Sequence, residues 1–384
     1  MADGRVIDGG EVVIADGVIA DVRDGPGWGA APVPAPAVGA AAGAGVEDLG
    51  AVVVLAGFVD QHCHGGGRGD FFAADPGQVQ VAADTHLRHG TTTIVASLVT
   101  ATTSELLDQI AVLRPMVAQG VVAGIHLEGP WISPAECGAH DVTLLRPPDP
   151  AEVAALLAAG GGAVRMVTIA PELPGGLAAI QQVVAAGAVA AIGHTAADFD
   201  TTVAAIDAGA TVATHLLNRM PVLHKREPGP VLALMRDRRV TCELIIDGVH
   251  LHPGIVEFVI DHVGPGRVAA VTDAMAAAGA GDGRYVIGHL EVDVAGGVAR
   301  LAVDGAAVGA LAGSVLTLDE TLRILVSGCG QDLVAASQML SATPARAMGF
   351  TDRGRIAVGQ RADLVVLDDA LAVVRVMRAG HWVA

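Results

Sequence analysis

Residues 52–67 read Val52-Val53-Val54-Leu55-Ala56-Gly57-Phe58-Val59-Asp60-Gln61-His62-Cys63-His64-Gly65-Gly66-Gly67. An apolar run rises to a His-x-His pair and falls into three glycines, the pattern of a buried strand that ends in a loop. Residues i and i+2 of a strand share a face. His62 and His64 therefore leave the strand end side by side, placed to hold one metal ion. A lone His-x-His has an ordinary reading as a chance surface pair, so the rest of the chain decides.

Downstream, short β-branched runs alternate with Ala/Leu-rich amphipathic stretches. Strands are predicted at 52–60, 91–98, 121–127, 164–169, 188–193, 210–214, 240–246 and 267–272, with helices between them at, for example, 78–89, 104–119, 176–187 and 253–262. Such alternation argues for a parallel sheet covered by helices. Eight units in about 290 residues fit a (β/α)8 TIM-type barrel, whose active site lies at the C-terminal strand ends. Residues 5–23 alternate apolar and polar positions around the turns Asp8-Gly9-Gly10 and Asp16-Gly17, and Ile356 to Val383 is again strand-rich. The expected fold class is thus α/β, a barrel over 57–347 with a small β-sandwich domain built from both termini, 1–56 and 348–384. The Gly, Ala and Pro stretch 25–45 is expected to be a loop or insertion.

Composition narrows the function. The 384 residues are 52% hydrophobic, 17% charged and only 3% aromatic, so the core must be mostly aliphatic. A net charge of -18 argues against a nucleic-acid surface. No apolar run approaches the ~20 residues of a membrane span. Cys63, Cys137, Cys242 and Cys329 show no paired spacing and no signal peptide is read, which predicts a reducing, cytoplasmic setting.

The barrel rule gathers scattered polar residues into one mouth. Strand one ends in His62 and His64, strand three in Glu128, strand five in His194, strand six in His215. Strand seven runs into Asp247-Gly248-Val249-His250, and strand eight ends in Thr272-Asp273. Each alone reads as a capped loop histidine, a helix N-cap or a solvated acid. Six metal-competent residues at the same end of successive strands do not. Imidazole and carboxylate ligands suit one or two divalent ions, Zn²⁺ or Fe²⁺. A carboxylate beside activated water can take its proton and pass it to a leaving amine, and Asp273 is the candidate. The reaction class is metal-assisted hydrolysis of an amide or related bond.

The order His-x-His, Glu, His, His, Asp across a barrel resembles the amidohydrolase superfamily. Local strings resemble, within it, the N-acetylglucosamine-6-phosphate deacetylase family: His126-Leu127-Glu128-Gly129-Pro130, Gly138-Ala139-His140, Thr214-His215-Leu216-Leu217-Asn218, Arg226-Glu227-Pro228-Gly229, Asp247-Gly248-Val249-His250, Thr272-Asp273-Ala274-Met275 and Leu311-Ala312-Gly313-Ser314. The resemblance implies hydrolysis of the acetamide of an N-acetylated amino sugar 6-phosphate. It implies that Glu128, His194 and His215 hold the primary metal and that His62 and His64 hold a second ion. Asp273 would act as general base and then acid, with His250 near the reacting carbonyl. Substrate would meet Ala139, His140, Asn218, Arg219, Arg226, His250, Leu311, Ala312 and Gly313, with Arg226 reaching in from the other subunit of a homodimer.

Three positions depart from the family pattern: Leu217-Asn218-Arg219-Met220 replaces Phe-Asn-Ala-Met, Ala196 replaces an Asn after Gly193-His194-Thr195, and Ala56 replaces a Pro. The first two bear on substrate identity, glucosamine or galactosamine, and leave the metal ligands intact. A dihydroorotase-like or hydantoinase-like reading needs a carboxylated lysine on strand four, whereas the single lysine, Lys225, follows strand six. A non-catalytic scaffold on the same barrel would be expected to have lost ligands. Cys63 is expected to point away from its flanking histidines, Glu172 to serve structure, and His224, His252, His262 and His289 to lie on the surface.

Overall fold

The computed structural model describes residues 4–24, 45–303 and 308–383. The expected loop at 25–45 lies, but for residue 45, outside the described residues. Eight parallel strands stand in chain order: β1 (Phe58–Cys63), β2 (Thr91–Leu98), β3 (Gly124–Glu128), β4 (Val164–Ile169), β5 (Val189–Ile192), β6 (Val212–Ala213), β7 (Thr241–Ile245) and β8 (Val268–Val271). First and last strands meet beyond their ladder ends, where Asp273 N donates to His62 O at 2.9 Å and His64 N to Ala274 O at 2.7 Å. The barrel therefore closes through the residues expected to carry the chemistry.

Helices follow the strands: α1 (Pro76–Arg88), α2 (Thr103–Ala118), α3 (Pro150–Gly160), α4 (Gly176–Ala185), α5 (Phe199–Asp207), α6 (Gly229–Arg236) and α7 (Pro253–Val263). Their starts are written locally. Asp75 caps α1 ahead of Pro76, Thr102 and Glu105 form a capping box on α2, and Asp149 and Asp198 cap α3 and α5. Buried Leu106, Ile110 and Leu113 of α2 join Ile125 and Leu127 of β3 in one aliphatic core between helices and sheet.

The expected strand 52–60 is two strands. Val53–Ala56 pairs antiparallel with Leu364–Leu367, and β1 begins only after Gly57. A Cβ at Gly57 would stand 2.2 Å from Thr92 Oγ1 and 2.9 Å from Asp363 Cβ, so only glycine passes between barrel and outer sheet. Leu364–Leu367 also pairs with Val373–Arg378, which pairs with His381–Trp382. The strands Glu11–Ala15 and Val18–Arg23 form a second small sheet. Ile19, Ala56, Leu364 and Met377 bury one shared cluster between the two sheets. Val365 and Leu367, on the opposite face, pack into the barrel core.

Between β8 and α8 (Leu318–Ser327) lies an antiparallel meander, Gly283–Ile287, Leu290–Ala295 and Val298–Leu301, which the barrel repeat did not lead us to expect. Its inner face, Tyr285, Ile287, Val292 and Val294, packs with Met275 and Ala277 just past β8 and with Ala312 beyond the meander. It forms one wall of the mouth. No helix among the described residues is long and apolar enough to cross a membrane.

Candidate active site

The inward positions at the C-terminal end of the barrel are polar and sealed from water. Ser97 Oγ, His126, Thr168 Oγ1 and Thr214 Oγ1 form a chain with links of 2.8–2.9 Å across β2, β3, β4 and the end of β6. Each group finds a partner, as burial requires. Above this belt, two sets of ligand atoms lie within 4.8 Å of one another: His62, His64, Glu128 and Asp273, and Glu128, His194 and His215. Glu128 belongs to both.

The distances fit metal ions. His194 Nε2 and His215 Nε2 lie 3.2 and 3.0 Å from Glu128 Oε1 and 3.0 Å from each other. His62 Nε2 and His64 Nε2 are 3.2 Å apart. Two ligands each about 2.05 Å from one tetrahedral ion stand about 3.3 Å apart. Charge agrees with distance. Asp60, Glu128, Glu243 and Asp273 are buried, and the ion pairs recorded for Glu128, Glu243 and Asp273 are with histidines alone. An interior of carboxylates against which no Lys or Arg of the described residues is paired calls for another cation.

Three of the four outer ring nitrogens are tied down, as ligating histidines need. His62 Nδ1 is 3.1 Å from Glu243, His64 Nδ1 3.2 Å from Ser97 O, and His194 Nδ1 2.7 Å from Glu136 O. Three of the residues sit just past strand ends in left-handed backbone: His194 at φ 47°, His215 at φ 28° and Asp273 at φ 49°. Such conformations cost free energy in non-glycine residues and cluster at functional sites. Close packing holds the first: a Cβ at Gly193 would stand 2.5 Å from Thr214 Cβ.

Proton positions follow the charge. Burial alone would lower the His62 and His64 imidazoles. For His62 the Glu128 and Asp273 charges outweigh it and hold the ring well above its usual range. For His64, hydrogen bonds to Asp273 and Glu128 raise it to about 9. Burial takes His194 down to about 4 against its bond to Glu128. Burial would raise the Asp273 carboxyl, but the His62 charge and the His64 bond hold it far below the carboxylate range, ionised. An ion entering beside His62 and His64 must displace their protons. Zn²⁺ titrated into metal-stripped protein in weak buffer is therefore expected to release protons, with affinity falling as pH drops below about 9. Uptake without acidification, read by an indicator dye, would contradict this.

The cavity over the cluster is lined by His64, Glu128, Ala139, His140, His194, His215, Asn218, Arg219, His250, Asp273, Leu311 and Gly313, all expected at the site. His62 lies fully buried behind it. The Thr100 backbone N–H donates to His140 Nδ1 at 3.2 Å, so the His140 ring carries its proton on Nε2, which faces Glu128 at 3.5 Å. Asp247 sits 2.7 Å from His250 Nδ1 and leaves Nε2 as the free ring nitrogen. Arg219 packs along Gly138.

Ala312 is placed differently. It is fully buried against the meander, between two lining residues. Arg226 is exposed, in a loop that does not line its own chain's cavity. Sequence reading did not single out Val99, Ile245 and Ile287, the apolar part of the wall, or Glu243 beneath it. Glu172 accepts from Thr195 Oγ1 at 2.5 Å and Ala196 N at 2.6 Å, so it braces the loop after His194. Cys63 turns from the cavity toward His86, 3.3 Å from its Nε2. His224, His252, His262 and His289 are exposed.

The amidohydrolase family profile matches residues 53–383, most of the chain. This chain belongs to the amidohydrolase family. The N-acetylgalactosamine-6-phosphate deacetylase of Escherichia coli O157:H7 is 35% identical over 98% of this amidohydrolase and 95% of its own length. The N-acetylglucosamine-6-phosphate deacetylase of Lysinibacillus sphaericus is 31% identical over 85% of this chain and 84% of its own. Among solved structures, a mutant N-acetyl-D-glucosamine-6-phosphate deacetylase from Mycobacterium smegmatis, in complex with N-acetyl-D-glucosamine-6-phosphate, superposes with a TM-score of 0.91 at 48% identity, covering 100% of this chain and 96% of that one.

Proposed function

We propose that this amidohydrolase hydrolyses the acetamide of N-acetylglucosamine 6-phosphate to glucosamine 6-phosphate and acetate. The observation that carries the reading is the ionised Asp273 carboxylate on the wall of a cavity floored by two His/Glu clusters. The glucosamine form is favoured by the 48% identity to a structure holding that sugar phosphate; the 35% relative keeps the galactosamine form as the second reading.

Glu128, His194 and His215 would hold one divalent ion, and His62 and His64 a second, Zn²⁺ or Fe²⁺ by ligand chemistry. A bound ion supplies Lewis acidity to the amide carbonyl and acidity to water. Asp273 takes the proton of the attacking water as its oxygen bonds to the carbonyl carbon. It then returns that proton to the nitrogen as the C–N bond breaks, and the amine leaves neutral. His140 offers its Nε2–H inside the cavity, and His250, oriented by Asp247, stands at its wall. Asn218 and Arg219 would take the phosphate.

Arg226 would complete that phosphate site from a second copy of the chain. Its exposure fits this, as do Val222, 87% exposed, and Leu223, 48% exposed, in the same loop. The four free cysteines fit a reducing, cytoplasmic setting.

The test is acetate release from a panel of N-acetyl sugars with and without 6-phosphate. N-acetylglucosamine 6-phosphate is expected to give the highest kcat/KM, and no acetate from any member would end the reading. Arg226→Ala is expected to raise KM for the phosphorylated sugar selectively, costing about 1.5–3 kcal/mol, as for a hydrogen bond to a charged group. Mixed with Asp273→Asn protein under subunit exchange, it is expected to regain activity through hybrid dimers that contain one intact site. An equal effect on both sugars would make Arg226 structural.

A further inference from the structure

Glu243, in the middle of β7, takes no part in the steps above. Its side chain is fully buried. Oε1 accepts from Gln61 Nε2 at 2.7 Å, and Oε2 lies 3.2 Å from the His215 backbone N and 3.1 Å from His62 Nδ1. Among the described residues its only ion pair is with His62. His62 belongs to one cluster and His215 to the other, so a single carboxylate oxygen ties the two halves of the site together.

The donors decide the protonation. A backbone N–H can only donate, so Oε2 is an acceptor. His62 Nδ1, at hydrogen-bond distance from the same oxygen, must therefore carry a proton. That leaves Nε2 as the His62 nitrogen an ion would take, and it faces His64 Nε2 at 3.2 Å and Glu128 Oε2 at 3.5 Å. The other histidines have weaker support: backbone carbonyls meet the outer nitrogens of His64 and His194, and His215 Nδ1 has no partner among the described residues. Of these four rings, His62 alone meets a carboxylate through its outer nitrogen, which fixes its tautomer and raises its basicity as a ligand.

We propose that Glu243 is a positioning residue that sets the strength of ion binding on the His62 and His64 side of the site. The proposal rests on the metal-dependent reading above and goes beyond it in making the two sides unequal. The buried charge acts through His62 and does not touch substrate.

Glu243→Gln isolates that charge. A glutamine keeps an acceptor toward His62 and His215 and turns its amide NH₂ toward residue 61. Gln61 Oε1 is buried without a partner among the described residues, so the Gln61 amide can rotate to accept it. Hydrogen bonding and packing survive while the charge is lost. A second variant, Gln61→Glu with Glu243→Gln, keeps one buried carboxylate and the total charge but still presents a neutral amide to His62.

The measurement is Zn²⁺ stoichiometry and affinity by chelator competition, with His64→Ala and His194→Ala identifying which ion belongs to which side. Glu243→Gln is expected to weaken the ion that His64→Ala also loses by roughly 10–100-fold, as for other groups that orient a ligand. The ion held with His194 should keep its affinity, and the double variant should behave like Glu243→Gln. Unchanged affinities, equal weakening of both ions, or recovery in the double variant would each overturn the proposal. A parent protein that takes up no ion would remove the metal-dependent reading and this proposal together. Ions bound equally by parent and Glu243→Gln would remove this proposal alone.

Discussion

Asp273→Asn is expected to lower kcat for N-acetylglucosamine 6-phosphate by a factor on the order of 10²–10⁴, the loss typical of a missing acid–base group. The carboxylate has the two properties the step needs. It stands on the cavity wall, and it is ionised although buried, with Oδ1 3.1 Å from His64 Nε2 and 3.4 Å from His62 Nε2. Asparagine fills the same space and keeps an acceptor but cannot hold a proton. The backbone bonds Asp273 N to His62 O and Ser314 N to Asp273 O, 2.9 and 2.8 Å, are untouched, so the barrel seam should stay closed. The primary ion, held by Glu128, His194 and His215, should remain. Acetate release under saturating substrate, with metal content measured on the same sample, checks both halves. Near-normal kcat would remove Asp273 from the proton step.

The legible part of the site follows from local rules. His62 and His64 share a face because strands have period two, and both enter the cluster. Glu128 ends β3, and His194, His215 and Asp273 each lie two residues past a strand end, so the rule of C-terminal strand ends finds them. The less legible part depends on contacts distant in sequence. The run 52–59 carries no polar side chain, and only the approach of Thr92 and Asp363 to Gly57 divides it between two sheets. The meander after β8 carries its own signal, Tyr285, Ile287, Val292 and Val294 at period two around Gly288. A repeating barrel gives no reason to look for strands there.

Glu243 shows the complementary gap. In Thr241-Cys242-Glu243-Leu244-Ile245 an acid interrupts a buried strand, a position where a carboxylate is rarely left unpaired. The signal was present, but the partner that gives it meaning, His62, lies 181 residues away. Ala312 errs the other way. It shares a string with Leu311 and Gly313, which line the cavity, but its own methyl packs on the meander.

His194→Ala should cost more than the Asp273 change, because it removes a ligand and not only a proton carrier. His194 Nε2 is within 3.2 Å of both Glu128 Oε1 and His215 Nε2, and its ring is aimed by the 2.7 Å contact of Nδ1 with Glu136 O. Without it, the primary site keeps one carboxylate and one imidazole, too few to hold a divalent ion against a chelator. Metal content is expected to fall by about one ion per chain and kcat by more than the roughly 10²–10⁴ of the proton step alone. His194→Asn, which keeps a polar side chain at this left-handed position, guards against simple misfolding, since Asn tolerates φ near 47° better than Ala. Both variants should melt as cooperatively as metal-stripped parent protein. Added Zn²⁺ that saturates the parent should restore neither. A folded His194→Ala protein with its full metal content would show that the cluster of Glu128, His194 and His215 is not where the ion sits.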